Sequence, residues 1–306
     1  MTSLHNELGE MKEVFCLFDR HIDPDQHFLY QFYDPVTYLT PDNLSNLIKN
    51  STNKKLSFLH VNCRSLVHKV QDLILLMHMS SAKIVAVTET WLNKENSDSI
   101  FIPHYNFFSK PREGKKGGGV GFFIDASIAC SILVHKDKNL LISSFESLLV
   151  SFSCNNKKFI AGVIYRPPNS NLQTFLDELN LLLTSIDHHN TTILLLGDFN
   201  INLLDEVHAS LVSDFLNTFA SHLLFPAFIK PTRKSSTTAT AIDNIFTNFP
   251  LQNTLSKILI DDLSDHFPLY LSLDLAFQIT ISKDQKNFKR QFKNSNFFHD
   301  KLTNKD

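Results

Sequence analysis

A short apolar run that ends in Gly-Asp-x-Asn is the feature of this sequence that most constrains its fold. The run is residues 193–196, within the string TTILLLGDFNINLL. Four apolar residues between polar ones are typical of a strand buried on both faces. Gly197 permits a turn that a Cβ would hinder. Asp198 and Asn200 then stand at the strand end, where they suit holding a water or a metal beside a phosphate, or simply making a tight turn.

A length of 306 residues fits one large domain or two small ones. With 43% hydrophobic and 20% charged residues, the chain can form a sizeable core. The net charge of −2 means that a nucleic-acid partner would need a local basic face. The four cysteines are widely spaced and lack zinc-ligand pairing. The polar N-terminus does not resemble a signal peptide, and no apolar run approaches a membrane span. We therefore predict an intracellular protein with no membrane partner.

The pattern divides the chain into a polar leader at 1–55, a folded domain at 56–275 and a basic tail or linker at 276–306. The domain opens with the strand LSFLHVN, which ends at Asn62. A helix N-capped by Ser65 and a strand ending near Glu89 follow. A strand–helix–strand unit of this kind implies a parallel pair.

The remaining predicted elements follow in chain order. They are a strand at 120–124, a hairpin of 145–152 and 158–168 turning at 155–157, helices at 172–186 and 209–222, and strands at 242–247 and after residue 266.

Polar residues stand at the ends of five predicted strands. They are Asn62, Glu89, Tyr165 with Arg166, Asp198 with Asn200, and Asp265 with His266, while Asp243 lies near the start of another strand. Taken alone, Glu89 fits a solvated strand end, Tyr165 a core tyrosine and Asp265 a turn. Arg166 precedes two prolines, and we interpret it as a solvated loop charge. Side chains at strand ends of an α/β fold converge at one edge of the sheets, which we call the mouth, so the ordered set predicts a site there.

Seven strings carry a resemblance to a known family. They are LHVNCRSL, IVAVTETWL, GGGVGFFI, VIYRPPN, LLLGDFNINL, IDNIFTN and LSDHFPL. In this order they resemble the endonuclease/exonuclease/phosphatase superfamily and, within it, the endonuclease domain of jockey-like and CR1-like non-LTR retrotransposons. The resemblance implies an α/β fold, a four-layer sandwich of two packed mixed β-sheets flanked by helices.

The resemblance also implies a metal site. Glu89 would ligate Mg²⁺, with Mn²⁺ as an alternative, and Asn62 and Asp265 would support that site. Repair-type relatives carry Asp two residues after the first-strand Asn, whereas this sequence has Arg64 there. This departure favours retroelement relatives over repair enzymes and puts a second metal position in doubt.

The implied reaction is phosphodiester hydrolysis. Asp198, with Asn200 beside it, would orient and deprotonate the attacking water. His266, held by Asp243, would stabilise the charge that develops on the phosphorus oxygens. Tyr165 would contact the phosphate.

Basic side chains in two loops are the predicted DNA contacts. They are Lys110, Arg112, Lys115, Lys116, Arg233 and Lys234. They favour an endonuclease that nicks one strand of double-stranded DNA, as in target-primed retrotransposition. The alternatives are a phosphatase or phosphodiesterase acting on another phosphate ester, such as a lipid or inositol phosphate, and an inactive binding module of the same fold.

The retroelement resemblance also bears on partners. Such proteins continue into a reverse transcriptase, which this sequence does not supply, so we expect a truncated or domesticated element or a fragment of a longer protein. Element RNA, or a reverse transcriptase acting in trans, is then a candidate partner. We expect a monomer that functions in the nucleus, although the sequence shows no clear targeting signal.

Overall fold

The computed structural model describes residues 36–50, 55–93, 95–133, 142–235 and 237–275. Residues 1–35 of the predicted leader and the whole predicted tail lie outside these ranges. No helix in the part of the chain that the structure describes is both long enough and apolar enough to cross a membrane.

The secondary structure is rich in strands. In chain order the strands are β1 (Thr37–Leu39), β2 (Lys55–Asn62), β3 (Ile84–Thr88), β4 (Tyr105–Lys110), β5 (Val120–Asp125), β6 (Cys130–Ile132), β7 (Glu146–Cys154), β8 (Lys157–Tyr165), β9 (Thr191–Asp198), β10 (Phe225–Pro226), β11 (Arg233–Lys234), β12 (Ala239–Thr240), β13 (Asp243–Thr247), β14 (Thr254–Leu259) and β15 (Leu269–Asp274). The helices are α1 (Pro41–Lys49), α2 (Val70–Ser80), α3 (Leu172–Ser185) and α4 (Ala209–Ala220), with short 3₁₀ helices at Ser97–Ser99 and Leu251–Asn253.

Two mixed β-sheets organise these elements. One has the strand order β1-β14-β15-β2-β3-β5-β4, and the other has the order β10-β13-β9-β8-β7-β6. The pairs β1–β14, β2–β3 and β8–β9 are parallel, whereas the other pairs in these sheets are antiparallel. The parallel β2–β3 pair confirms the predicted strand–helix–strand unit.

The two sheets pack face to face and each carries helices on its outer face. Strands β2 and β3 contact β9, and β3 and β5 contact β8. Apolar side chains of α1 and α2 pack with the outer face of the first sheet, and those of α3 and α4 pack with the second. This helix–sheet–sheet–helix order is the four-layer α/β sandwich that the family resemblance implied.

The strand with the Gly-Asp-x-Asn end is buried throughout, as its composition predicted. Every residue of β9 is buried, and the four apolar residues from 193 to 196 have no exposed surface. Gly197 faces the backbone of Ile164 in β8 so closely that a Cβ there would overlap the Ile164 carbonyl oxygen. Glycine is therefore required where β8 and β9 carry their last residues, Tyr165 and Asp198, to the same edge.

The first sheet begins before the predicted domain boundary at Leu56. Strand β1 pairs with β14, and α1 follows with Thr40 as N-cap, whose hydroxyl accepts from the amide of Asn43 at 3.3 Å. Pro41 occupies the first turn of α1, where its missing N–H is not needed. The polar leader prediction is therefore wrong for residues 36–49. A three-residue edge strand gives too short a pattern to be recognised from sequence.

The first predicted helix, expected from the N-cap Ser65 through Leu76, is shifted along the chain to Val70–Ser80. It begins at Val70 rather than after Ser65, because residues 64 and 65 have left-handed backbone, with φ of 40° and 83°. The amides of Ser65 and Leu66 donate instead to the carbonyls of Glu89 and Thr90, both at 2.9 Å. These two bonds tie the end of β2 to the segment after β3.

The predicted hairpin is confirmed with a tighter turn. Asn155 and Asn156 form a two-residue connection with φ of 49° and 59°, which is the type I′ preference of Asn. Lys157, predicted as part of the turn, pairs with Cys154 in the ladder. Both amphipathic helices are confirmed, and α4 ends at Ala220, two residues before its predicted end.

Candidate active site

The polar residues predicted at strand ends converge at one mouth between the two sheets. The first sheet supplies Asn62 at the end of β2, Glu89 after β3 and His266 before β15. The second sheet supplies Tyr165 and Asp198, at the ends of β8 and β9, and Asp243, which pairs with Asp198 in the antiparallel ladder.

The Asn62 carboxamide joins two carboxylates across the mouth. Its Nδ2 donates to Glu89 Oε1 and to Asp198 Oδ2, both at 2.9 Å. Its Oδ1 accepts the backbone amide of Arg64 at 3.2 Å, which fixes the orientation of the carboxamide. Asn62 is buried, so the two bonds lie in a low-dielectric environment and hold the carboxylates close together.

The segment after β3 holds Glu89 in a left-handed backbone conformation, with φ of 50°. Such a conformation is uncommon for a residue with a Cβ and tends to occur at functional sites. The neighbouring glycine cluster supports it, because the amides of Thr90 and Trp91 donate to the carbonyls of Gly119 and Gly118 at 3.2 and 2.8 Å. The Trp91 indole donates to Glu89 Oε2 at 3.3 Å and orients the carboxylate further.

The turn after β9 is anchored by Phe199, the variable residue of Gly-Asp-x-Asn. Its ring packs edge-to-face against Phe219 and Phe246, with centroid distances of 5.7 and 5.3 Å. Because Phe199 points into the core, Asp198 and Asn200 are directed away from it, toward the mouth. The amide of Asn200 donates to Asp198 Oδ1 at 3.0 Å.

The environment of Asp198 favours its protonated form. Burial raises its pKa to about 8, and the nearby Asp243 carboxylate acts in the same direction. A carboxylate with a pKa near neutral accepts a proton more readily than an ordinary aspartate does. The expected base therefore has suitable electrostatics.

Asp243 holds His266 in the interior of the site. His266 Nδ1 lies 2.9 Å from Asp243 Oδ2, and the Thr232 hydroxyl donates to the same oxygen at 2.9 Å. Burial lowers the pKa of His266, but the Asp243 carboxylate outweighs it and raises that pKa to about 9. The imidazole is therefore positively charged at neutral pH, with Nε2 left as its second donor.

A second buried histidine, His60, lies on the other side of Asp243. Its Nδ1 is 3.9 Å from Asp243 Oδ1, and its Nε2 is 3.3 Å from the Thr88 hydroxyl. Burial lowers the pKa of His60 to about 4, so this ring is neutral. Sequence reasoning missed His60, although its position two residues before Asn62 places both side chains on the same face of β2.

The site fits a divalent cation. Glu89, Asp198 and His266 each offer one ligand atom, and these atoms lie within 4.8 Å of one another. Because Asp243 keeps His266 protonated and burial favours the protonated form of Asp198, Glu89 is the best ligand of the three. Oxygen donors of this kind suit Mg²⁺. Glu89 as the metal ligand and Asn62 as its support stay predictions.

Asp265 differs from the other predicted metal residues because arginines occupy its carboxylate. Arg64 Nη1 donates to Asp265 Oδ1 at 2.8 Å, and Arg233 donates to Oδ2 from Nε and Nη2, at 2.8 and 2.7 Å. Burial raises the pKa of Asp265, but the hydrogen bonds from the two arginines outweigh it and lower that pKa to about 2. The structure does not place Asp265 in the carboxylate–imidazole cluster.

Asn200 and Tyr165 lie at the mouth but are held by protein groups. Asn200 Nδ2 donates to the carbonyl of Arg166 at 2.7 Å. Tyr165 is buried, which raises its pKa, and the Arg112 guanidinium lies 5.4 Å from its ring centroid. Arg112 also pairs with Glu146.

Some of the predicted DNA-binding side chains contact other protein groups, and the others are exposed to solvent. Arg112 and Arg233 are held in ion pairs, and Lys110 Nζ donates to the Ser147 carbonyl at 3.2 Å. The remaining members are exposed; they are Lys115, Lys116 and Lys234. The loop at 111–119 between β4 and β5, which we call the glycine-rich loop, and strand β11 therefore present positive charge to solvent.

Arg166 is buried, and its interpretation as a solvated loop charge is wrong. Its guanidinium donates to the carbonyls of Asn200 and Ser170, at 3.2 and 2.8 Å, and lies 5.5 Å from the centroid of the Phe175 ring. With the return bond from Asn200 Nδ2, it locks the turn that carries Asp198. The carbonyls of this turn need donors, and nothing in the local sequence around Arg166 reveals that partnership.

The sequence matches the Endonuclease/Exonuclease/phosphatase family over residues 44–266. This match covers more than half of the chain, and the chain belongs to this family. It confirms the superfamily that the seven strings indicated, and members of the family are hydrolases. A search of curated proteins finds no match.

Solved structures with the same fold include three of different activity. The endonuclease domain of TRAS1, a telomere-specific non-LTR retrotransposon, is similar at 12% identity and a TM-score of 0.59, covering 73% of this chain and 100% of that one. An AP endonuclease from Archaeoglobus fulgidus is similar at 15% identity and a TM-score of 0.55, covering 72% of this chain and 100% of that one. A mannosyl-6-phosphatase from Bacteroides thetaiotaomicron VPI-5482 is similar at 16% identity and a TM-score of 0.51, covering 71% of this chain and 98% of that one. At these identities the similarity shows the fold, as the retrotransposon resemblance implied, and leaves the substrate open.

Proposed function

We propose that this protein is a divalent-metal-dependent endonuclease that nicks one strand of double-stranded DNA. The observation that carries the proposal is the convergence of Glu89, Asp198 and His266 around the bridging Asn62 carboxamide. The resemblance of the seven strings to retrotransposon endonucleases supports DNA as the substrate. The exposed lysines of the glycine-rich loop and of β11 supply charge that attracts a phosphate backbone.

The residues of the site divide the chemistry among them. Glu89 would hold the cation, which when bound polarises a phosphoryl oxygen and stabilises the leaving oxygen. Asp198 would take the proton of the attacking water, since its raised pKa makes it a base near neutral pH. His266 would donate from Nε2 to the developing negative charge, since Asp243 occupies Nδ1 and keeps the ring protonated.

The same site could act on a different phosphate ester. A mannosyl-6-phosphatase has the same fold, so the fold itself does not select between a phosphomonoester and DNA. Exposed lysines lie in two segments whose backbones contact the site, strand β11 and the loop before β5, which favours an extended polyanion over a small headgroup.

The retroelement strings suggest the setting of this activity. A nick made as in target-primed retrotransposition would require a reverse transcriptase acting in trans, and access to chromosomal DNA would place the protein in the nucleus. Both points rest on the family resemblance.

A plasmid assay tests the proposal. Purified protein with supercoiled plasmid and Mg²⁺ or Mn²⁺ should produce relaxed circles. Asp198→Asn keeps the shape of the side chain and removes the base, so nicking should fall by about 10²–10⁴-fold. Lys158→Ala is the matched control, because Lys158 is exposed at the opposite end of β8 from Tyr165.

The alternatives have different results in the same experiment. Release of inorganic phosphate from a sugar or inositol phosphate, with no relaxed circles, would favour the phosphatase. Relaxation that survives Asp198→Asn at full rate would remove the strand-end cluster from the reaction.

A further inference from the structure

The rim of the mouth carries an ion cluster that the proposed chemistry does not use. We call it the arginine clamp, and it consists of Arg64, Arg233 and Asp265. The two arginines approach the carboxylate from different sides, one on each oxygen. Their side chains are 47% and 39% exposed and that of Asp265 is 30% exposed, so the clamp is open to solvent.

The charge of the clamp is unbalanced. Two guanidinium groups share one carboxylate, which leaves a net charge of +1. Arg64 uses Nη1 for Asp265, and Arg233 uses Nε and Nη2, so N–H groups of both remain directed elsewhere. Guanidinium groups pair with phosphate through two parallel hydrogen bonds, and an exposed pair with surplus charge suits that ligand.

The clamp is joined directly to residues of the site. The backbone amide of Arg64 donates to Asn62 Oδ1 at 3.2 Å, and Arg233 forms an isolated antiparallel bridge with His266. Asp265 immediately precedes His266. The clamp therefore has a fixed position relative to the Asn62 carboxamide and the imidazolium.

The backbone of Arg64 is left-handed, with φ of 40°. A long side chain rarely adopts this conformation without compensation, and such strain tends to occur where function requires a particular geometry. Here it directs the side chain across the mouth to Asp265, 201 residues further along the chain.

We propose that Arg64 and Arg233 bind a phosphate of the DNA backbone next to the one that is cleaved, and that Asp265 is a positioning residue for the two arginines rather than a metal ligand. This inference rests on the proposed function, and it names how the DNA strand is held at that site. The bound phosphate fixes the register of the strand. The cleaved phosphate then meets Asp198 and His266 in the correct orientation.

The first test measures binding without metal. A duplex lacking terminal phosphates, labelled for fluorescence anisotropy, is titrated in EDTA at several salt concentrations. Replacing both arginines by alanine should reduce the log–log salt slope by about 0.9 or more, because one phosphate contact is lost. Lys158→Ala should leave the slope unchanged. Equal slopes for wild type and the double variant, or no measurable binding by wild type, would overturn the clamp.

A conservative variant separates charge from geometry. Arg64→Lys keeps the positive charge but loses the planar fork, so we expect the salt slope to persist while nicking slows. Thermal unfolding of each variant checks that it folds, and Arg64→Lys serves as the test if the double variant does not. A nicking rate equal to wild type for Arg64→Lys would contradict a positioned guanidinium.

The second test concerns the role of Asp265. Asp265→Asn should lower the nicking rate by up to about 10²-fold through loss of positioning, while the Mg²⁺ concentration for half-maximal rate stays unchanged. Glu89→Gln, by contrast, should raise that concentration. A rise for Asp265→Asn as large as that for Glu89→Gln would make Asp265 a metal ligand and would overturn its assignment.

Failure of the clamp and failure of the proposed function give different results. If wild type binds duplex with the expected slope change but never nicks plasmid, the endonuclease proposal fails and the phosphate clamp stands. If wild type nicks plasmid but the arginine variants bind and nick normally, the clamp alone fails.

Discussion

Two aspartates of the site each hold positively charged partners, but one pair is interior and the other lies at the rim. Asp243 has no exposed surface and holds His266, which is 3% exposed. Asp265, the residue directly before His266, is 30% exposed and holds Arg64 and Arg233. Asp265 and His266 are consecutive in the chain, yet the first is partly exposed and the second is buried. Comparing their ion pairs therefore shows what burial does to a contact between a carboxylate and a cation.

Burial changes what each contact does. In the interior, little water screens the Asp243 carboxylate, so it raises the pKa of a histidine whose burial would otherwise lower it. At the rim, solvent weakens each pair, and exposed ion pairs typically contribute about 0–1 kcal/mol. We infer that the interior pair sets a protonation state, while the rim cluster sets a geometry.

The largest expected difference between the two pairs is in stability. Asp243→Ala leaves the His266 imidazole and the Thr232 hydroxyl buried without their acceptor. Removing one partner of a buried pair typically costs about 3–5 kcal/mol, and we expect a loss of this order in the free energy of unfolding. Urea denaturation at neutral pH measures it.

Asp265→Ala is the matched variant at the rim. A loss below about 1 kcal/mol is expected for it, because solvent can replace the carboxylate. Equal losses for the two alanine variants would show that burial does not separate the pairs.

The next expected difference is in the pH dependence of nicking. His266 acts as a cation, and its pKa of about 9 keeps it charged through neutral pH, so the rate should fall on the alkaline side as pH rises through about 9. On the acid side the rate should fall as Asp198, whose pKa is about 8, becomes protonated. In Asp243→Asn the carboxylate that raises this pKa is gone and burial still lowers it. The falling limb should move below the ordinary value of about 6.5. A pH–rate profile, with a ring titration followed by NMR, measures both limbs.

Asp265→Asn provides the comparison for that profile. Asp265 is next to His266 but contacts the arginines, so its replacement should leave the alkaline limb near its original position. If the alkaline limb moves as far in Asp265→Asn as in Asp243→Asn, then Asp265 raises the pKa of His266 as much as Asp243 does.

The residue pattern is sufficient to predict the strands and the convergence of the interior residues for a physical reason, whereas the four-layer arrangement is implied by the family resemblance. Strand ends can be recognised from alternation and apolar runs, and residues at strand ends meet at one edge of the packed sheets. The amino-acid pattern alone therefore predicts that Asn62, Glu89, Asp198 and His266 lie together. The buried β9 strand and the parallel β2–β3 pair follow from the same signals.

The side-chain partnerships cannot be predicted in this way because they join residues that are distant in the chain. Arg64 and Asp265 are 201 residues apart, and Arg166 bonds a turn more than 30 residues away. A single sequence contains no signal for such pairs, so the pattern around Arg166 indicates a solvated charge, and that around Asp265 gives no sign of its two arginine partners. The short edge strand β1 escapes prediction for a different reason, since three residues are too few to show a period.

The smallest expected effect is the contribution of the Asp265 ion pairs to the free energy of unfolding. This contribution should depend on pH and on salt concentration. The folded pKa of Asp265, about 2, lies below its ordinary value of 3.8, because the hydrogen bonds from Arg64 and Arg233 outweigh burial. The contribution is therefore fully present above pH about 4 and is lost as pH falls through about 2. Wild type should exceed Asp265→Asn by at most about 1 kcal/mol at neutral pH. The difference should shrink toward pH 2 and also at 1 M salt, where the screening length is about 3 Å. Paired thermal melts of the two proteins across pH and salt measure this, and a difference that persists at pH 2 would have to come from packing rather than charge.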